Sequence, residues 1–213
     1  MSRALIFANG ELNYPEKIRA LVLPEDLILA ADGGARHAQA IGITPSIIIG
    51  DMDSLSPAQV NEYARQGVQI KRFPPAKDET DLELAVQDAL DAGCNPVLIL
   101  CAFGGRLDQL LGNIMLMGNS RAIEVDIRLE DGVTEVMFVR SQFVIHGGAG
   151  DTVSLIPWNG PAEGVTTTGL AYPLLDEPLY PFRTRSISNV MLSETASVSL
   201  KSGLLLCIHI RKE

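Results

Sequence analysis

Five aspartates stand in three short segments: Asp51 and Asp53 in Gly50-Asp-Met-Asp-Ser54, Asp78 and Asp81 in Lys77-Asp-Glu-Thr-Asp81, and Asp108 in Gly104-Gly-Arg-Leu-Asp108. Hard divalent cations such as Mg²⁺ take oxygen ligands, keep several waters and are usually held by a few carboxylates together with the phosphates of a substrate. An array of aspartates at loop positions therefore points to a metal-phosphate site. Any one pair is explained as readily by the preference of Asp for turns and helix N-termini. Their recurrence, each beside an apolar or periodic run, weakens that local explanation.

Two double glycines extend the pattern. Asp32-Gly33-Gly34 follows the apolar run Leu27-Ile-Leu-Ala-Ala31 and precedes a helical pattern over Ala35 to Ile41, which would let backbone N–H groups approach a phosphate at a helix start. Gly104-Gly105-Arg106 repeats the arrangement after Val97-Leu-Ile-Leu-Cys101, and Arg106 adds a fork-shaped donor for phosphate oxygens. Singly, each double glycine is more often a tight turn. The chain has neither a Walker A sequence nor a Rossmann glycine fingerprint. Asp78 and Asp81 flank a helix start and can point into one cleft, with the helix dipole offsetting part of their charge. Asp51 and Asp53, two apart on an extended segment, would project to one side. Phosphoryl chemistry needs charge neutralisation and in-line positioning, which Mg²⁺, Arg106 and Lys77 can supply, and one aspartate can take the proton of an attacking hydroxyl.

The elements that must position these groups fall into two rhythms. From Ala4 to about Arg140, continuous apolar runs (Ala4 to Ala8, Leu27 to Ala31, Ser46 to Gly50, Val97 to Cys101) read as strands buried on both faces, the mark of a parallel sheet. Helical patterns lie between or after them over Pro57 to Gln66, Thr80 to Ala92 and Leu107 to Met117. In the second, Leu82, Ala85, Val86, Ala89 and Leu90 share a face, Thr80 and Glu83 have capping-box spacing, and Gly93 ends it. Strands alternating with helices predict an α/β fold with crossover connections.

After about Ser141 the segments are short and strand-like (Gln142 to Ile145, Thr152 to Ile156, Ala196 to Leu200, Leu204 to Ile210), separated by Gly, Pro, Asn or Ser. The expectation is an N-terminal, mostly parallel, three-layer α/β domain over residues 1–140 and a C-terminal antiparallel β-sandwich over 141–213.

Composition bounds the function. A net charge of −9 over 213 residues argues against a broad nucleic-acid surface. The longest apolar stretches are far shorter than the roughly 20 residues of a membrane-spanning helix, and the first residues lack a signal-peptide pattern. Cys94, Cys101 and Cys207, odd in number and in apolar settings, read as reduced core residues of a cytoplasmic protein.

The order Ala31-Asp-Gly-Gly-Ala35, Gly50-Asp-Met-Asp-Ser54, Asp78-Glu-Thr-Asp81, Gly104-Gly-Arg-Leu-Asp108 and Asn113 resembles the thiamine pyrophosphokinase family. So do Gly164-Val-Thr-Thr-Thr-Gly-Leu170, Tyr172-Pro-Leu174, Ser186-Ile-Ser-Asn189 and Ser202-Gly-Leu-Leu205 in the second half. The resemblance implies transfer of a pyrophosphoryl group from ATP to the hydroxyl of thiamine, giving thiamine diphosphate and AMP, with Mg²⁺ required. It also implies a homodimer with thiamine sites between subunits. On that reading Asp51, Asp53, Asp78 and Asp81 hold the metal and, with Asp108, form the catalytic set. Asp32, Gly33, Gly34, Lys77, Thr80, Gly105, Arg106 and Asn113 bind ATP; Tyr172, Ser188 and Asn189 meet thiamine. Two positions depart from the family pattern: Gln109 stands where a His is common, and Tyr172 where a Trp is common.

Rival readings are a pyrophosphokinase for another hydroxyalkyl heterocycle, such as a pterin, and a non-catalytic nucleotide- or thiamine-sensing module. The Tyr172 and Ser188-Asn189 segments favour thiamine over the first, and the full acidic set disfavours the second. His37, His146 and His209 lack ligand spacing and read as surface or core histidines. Trp158 reads at least as readily as a turn-flanking packing residue as a ligand platform.

Overall fold

The computed structural model describes residues 2–118 and 125–212. They divide into two compact units, Met1–Gly132 and Val133–Glu213. No helix among the described residues is long and apolar enough to cross a membrane.

The first unit contains β1 (Ala4–Phe7), α1 (Pro15–Leu21), β2 (Leu27–Ala31), α2 (Gly34–Ala40), β3 (Ile47–Gly50), α3 (Pro57–Arg65), β4 (Gln69–Arg72), α4 (Asp81–Asp91), β5 (Val97–Leu100), α5 (Leu107–Leu116) and β6 (Ile127–Glu130). Its strands pair in parallel in the order β6-β5-β1-β2-β3-β4. Successive side chains leave opposite faces of a strand. Leu5, Phe7, Ala30, Ile48, Leu98 and Leu100 thus form one core with Ile18 of α1, Ala35 and Ala38 of α2, and Val60 and Tyr63 of α3. Helix α4 lies against β1, β2 and β3 with Leu82, Ala85, Val86 and Ala89 buried, and none of these joins that core. Helices on both faces of the sheet make the three layers expected of this half.

Helix boundaries follow local chemistry. Ser56 and Gln59 form a reciprocal capping box at α3. At α4 only half of the expected box forms: Thr80 Oγ1 accepts from the Glu83 N–H at 3.1 Å. Gly93, at φ +71 just past the Ala92 cap, ends the helix in the left-handed conformation that glycine tolerates.

The second unit contains β7 (Thr134–Val139), β8 (Gln142–His146), β9 (Thr152–Pro157), β10 (Ala162–Thr168), β11 (Glu177–Leu179), β12 (Asn189–Val190), β13 (Thr195–Ser199) and β14 (Leu205–Ile210). Antiparallel pairing gives the order β12-β9-β14-β7 in one sheet and β11-β10-β13-β8 in the other. A single core draws Met137, Val153, Leu155 and Cys207 from the first sheet and Ile145, Val165, Ala196 and Val198 from the second, so the unit is a sandwich. The contacts divide one strand earlier than residue 140, because β7 pairs along its whole length with β14. Trp158 packs on Phe138, ring centroids 5.5 Å apart.

Candidate active site

In an open parallel sheet, ligands gather at the carboxyl ends of the strands where the strand order reverses. Here the chain runs from β1 to β2 on one side and later returns to place β5 on the other side of β1. A cleft of about 500 Å³ opens at that point. It is lined by the loop after β1 (Asn9, Gly10, Glu11), the end of β2 with Asp32, the start of α4 (Lys77, Thr80, Asp81), and the loop and helix after β5 (Gly104, Gly105, Arg106, Gln109, Asn113).

Beside it the carboxylates converge. Asp32, Asp51 and Asp53 each place an oxygen within 4.8 Å of the others. The route differs from the extended segment expected: Met52 takes φ +67 and buries its side chain in the sheet-helix core, and the Asp53 N–H donates to Asp51 Oδ1 at 3.0 Å. A buried Met52 pins the turn between its two flanking aspartates. Gly50, at φ +149, leaves space on the same side; a Cβ there would stand 3.0 Å from both Asp32 Cβ and Asp81 Cγ.

The charge in this corner is poorly compensated by protein alone. Asp32 Oδ1 and Asp81 Oδ1 are buried without a hydrogen-bond donor among the described residues. The Lys77 ammonium lies 2.9 Å from Asp81 Oδ1 as a counter-charge, without hydrogen-bond alignment. Burial pushes the Asp32 carboxyl up from its ordinary value, and Asp53 and Asp81 push it further. Ser54, whose hydroxyl donates to Asp53 Oδ1 at 3.2 Å, and the Gly33 N–H oppose that rise. An all-oxygen donor set with buried, donor-free oxygens fits a hard divalent cation.

The double glycines have distinct physical causes. A Cβ at Gly34 would meet the Phe7 carbonyl oxygen at 1.9 Å, and one at Gly33 the Asn9 side chain at 2.4 Å, so this pair lets α2 pack against the end of β1. Neither glycine lines the cleft. Gly104 and Gly105 take φ +81 and +65 and do line it; a Cβ on Gly104 would strike Glu11 Cδ at 2.3 Å, and the Gly105 N–H donates to Glu11 Oε1 at 3.1 Å. Asn113 Nδ2 donates to the Ala102 carbonyl at 3.1 Å.

Asp78 is exposed and outside the converged group, whereas Asp81, the first residue of α4, stands beside that group across Gly50. Asp108 is exposed and accepts from Arg106 Nε at 3.1 Å and Nη2 at 2.5 Å. That guanidinium hydrogen bond holds the Asp108 carboxyl below its ordinary value. Cys101, at the end of β5, is buried and pushed up to about 12, chiefly by burial and then by Asp131, so its thiol stays protonated.

In the second unit, Asn189 is buried with its amide tied to the backbone of Tyr172: Oδ1 accepts from the Tyr172 N–H at 3.0 Å and Nδ2 donates to its carbonyl at 2.7 Å. Tyr172 itself is 73% exposed. Ser188, at φ +61, donates its N–H to Ser154 Oγ at 3.0 Å and leaves its own side chain exposed. Sequence reasoning missed Asn9, Gly10 and Glu11, although they follow a recognised strand and obey the same end-of-strand logic as Asp32.

A family model described as "Thiamin pyrophosphokinase, catalytic domain" matches residues 18–129, and one described as "Thiamin pyrophosphokinase, vitamin B1 binding domain" matches residues 141–205. The chain is 28% identical over 206 residues to a thiamine pyrophosphokinase of Bacillus subtilis, covering 96% of each chain. It is 29% identical over 179 residues to thiamine pyrophosphokinase 1 of Oryza sativa, covering 78% of this chain and 67% of that one. The crystal structure of the Bacillus subtilis protein superposes with a TM-score of 0.89 at 26% identity, covering all of both chains. Yeast thiamin pyrophosphokinase, at 19% identity and a TM-score of 0.77 with 98% of this chain and 86% of that one covered, shares the fold.

Proposed function

Because the chain belongs to the thiamin pyrophosphokinase family, we propose that it transfers a pyrophosphoryl group from ATP to the hydroxyl of thiamine, giving thiamine diphosphate and AMP. The thiamine hydroxyl oxygen attacks the β-phosphorus, the bridge to the α-phosphorus breaks with its electrons leaving on AMP, and the hydroxyl proton passes to a base.

The observation that carries the reading is the convergence of Asp32, Asp51 and Asp53 beside a cleft at the sheet's switch point. These three, with Asp81 next to them, would hold Mg²⁺. When bound, the ion supplies the charge neutralisation that phosphoryl transfer requires. The chain's own cations complete it: Lys77 stands at the cleft beside Asp81, and Arg106 is held at the start of α5 by Asp108. Gly104 and Gly105 keep the loop after β5 thin enough for a triphosphate to approach, and Thr80 and Asn113 line the same space.

Tyr172 offers its exposed ring to the cationic heterocycle, an interaction suited to an aromatic face. Asn189 fixes the Tyr172 backbone, and its chain neighbour Ser188 exposes its side chain. A homodimer is supported by the run of exposed apolar side chains Tyr172, Leu175, Tyr180, Phe182, Ile187 and Leu192. A cytoplasmic location is supported by three free cysteines.

The test is ATP consumption by the purified protein with thiamine and Mg²⁺ supplied together or singly. Turnover that needs both supports the reading; consumption that ignores thiamine, or follows a pterin instead, overturns the acceptor.

A further inference from the structure

His209 on β14 is fully buried, and the reaction proposed above makes no use of it. It lies on the core face of the sandwich with Leu205 and Cys207, at the end where the apolar core gives way to charge. Its Nε2 donates to Asp151 Oδ2 at 2.9 Å, since a carboxylate can only accept. Its Nδ1 faces Glu135 on β7 at 3.8 Å, too far for a hydrogen bond. Arg211 reaches the same Glu135 at 3.4 Å, and Lys212 passes next to Gly150. A Cβ at Gly147 would stand 2.3 Å from Asp151 Oδ2 and 2.7 Å from His209 Nε2, so the pair closes only beneath a glycine.

Asp151 is the hub. Its side chain also accepts from the Gly148 N–H at 2.9 Å and the Lys212 N–H at 2.8 Å. Its carbonyl accepts from the Met191 N–H at 2.8 Å, while the Gly150 N–H donates to the Met191 carbonyl at 2.8 Å. These bonds seat β12 on β9, with Asn189 opposite Val153 and Val190 opposite Thr152. Residues 189–192 in turn hold the Tyr172 segment: Ala171 N–H donates to the Val190 carbonyl and Leu192 N–H to the Gly169 carbonyl, each at 2.9 Å, besides the two Asn189 bonds to Tyr172. Hydrogen bonds linked through short stretches of backbone thus connect a buried imidazole with the backbone of an exposed tyrosine.

We infer that His209, acting through Asp151, is a positioning residue for thiamine: it fixes β12 and thereby the Tyr172 and Asn189 pair. The inference rests on the assignment of that pair to thiamine. Removal of the imidazole leaves Asp151 without a side-chain donor, so β12 loosens while the cleft of the first unit, built from other residues, is untouched.

The test compares His209→Leu, which packs among the neighbouring Leu205 and Cys207, with His209→Gln, which keeps one donor. Two readouts are taken: amide hydrogen exchange across residues 133–212, and KM for thiamine and ATP separately. For His209→Leu the expected result is about tenfold faster exchange at Gly150 and Met191 and a thiamine KM raised about fivefold, with ATP KM and kcat little changed. His209→Gln should recover most of both. Unchanged exchange at Gly150 and Met191 would overturn the link from His209 to β12. Faster exchange throughout β7 to β14 would overturn a local role in favour of general stability. Faster local exchange with an unchanged thiamine KM would overturn the assignment of Tyr172 and Asn189 to thiamine, and His209's part in the reaction with it.

Discussion

Gly50 admits Asp81 to the acidic corner: a Cβ at residue 50 would stand 3.0 Å from Asp81 Cγ and 3.1 Å from Asp81 Oδ2. At φ +149 the backbone there also disfavours any side chain. Gly50→Ala should therefore lower kcat/KM at least tenfold, beyond what its cost of about 1–3 kcal/mol in stability would explain in a protein that stays folded. Steady-state kinetics beside urea unfolding would show the two effects diverge.

Asp32 combines burial, a donor-free oxygen and three acidic neighbours. Its charge opposes folding of the metal-free protein, and that cost is present wherever the carboxylate is ionised. Asp32→Asn should reduce turnover by about a hundredfold or more yet raise the metal-free stability by about 1 kcal/mol near neutral pH. Thermal unfolding in chelator, paired with activity in Mg²⁺, would measure both.

On the proposed reading, a metal held by Asp32, Asp51 and Asp53 with Asp81 beside them would stabilise the folded state by mass action. Mg²⁺ at about ten times its dissociation constant should add about 1.4 kcal/mol, and Asp51→Asn should remove most of that gain. Asp78, exposed and apart from the group, should cost less on conversion to Asn than Asp81 does. Unfolding midpoints with and without Mg²⁺ would rank the three variants.

The His209 and Asp151 pair sets a pH dependence in the second unit. Burial lowers the His209 value, but Glu135 and Asp151 outweigh it and the net shift is upward. For Asp151, burial raises the value, but the N–H groups of Lys212 and Gly148 and then His209 bring it below the ordinary carboxylate. A raised histidine contributes stability that is complete below the unfolded value of about 6.5 and lost as pH climbs through the folded value. A lowered aspartate contributes stability that is complete above about 3.9 and lost as pH falls through its folded value. The stability gap between the native protein and His209→Leu should thus be widest between about pH 4 and 6.5 and shrink on either side, as unfolding curves at stepped pH would show.

Tyr172 presents less aromatic area than an indole would. Tyr172→Trp should lower the thiamine KM a few-fold, and Tyr172→Ala should raise it by about tenfold with the ATP KM steady. Kinetics with one substrate varied at a time would separate these.

Much of this arrangement was legible in the sequence because it rests on patterns that burial enforces. Strands β1, β2, β3 and β5 are apolar throughout since helices cover both faces, and α4 carries its apolar stripe, Thr80 cap and Gly93 stop in plain view. Elements that escaped lack those signatures. β4 is the half-exposed edge segment Gln69-Ile-Lys-Arg72, and α1 buries only Ile18. The acidic corner was half legible. Local spacing paired Asp51 with Asp53, but Asp32 joins them through sheet topology, which no local pattern encodes. Asp78 and Asp81 share a motif, yet the turn into α4 sends only Asp81 inward. Glu11 sits in the loop after β1, brought to Gly105 by the pairing of β1 with β5, and so stood 94 residues from its partner in the chain.

The central claim is pyrophosphoryl transfer, and the nucleotide product reports on it most directly. With ATP, Mg²⁺ and thiamine, quenched time points analysed by mass should contain AMP and thiamine diphosphate in equal amounts and no ADP. ADP accumulating with thiamine monophosphate would mean transfer of a single phosphoryl group and would contradict the account.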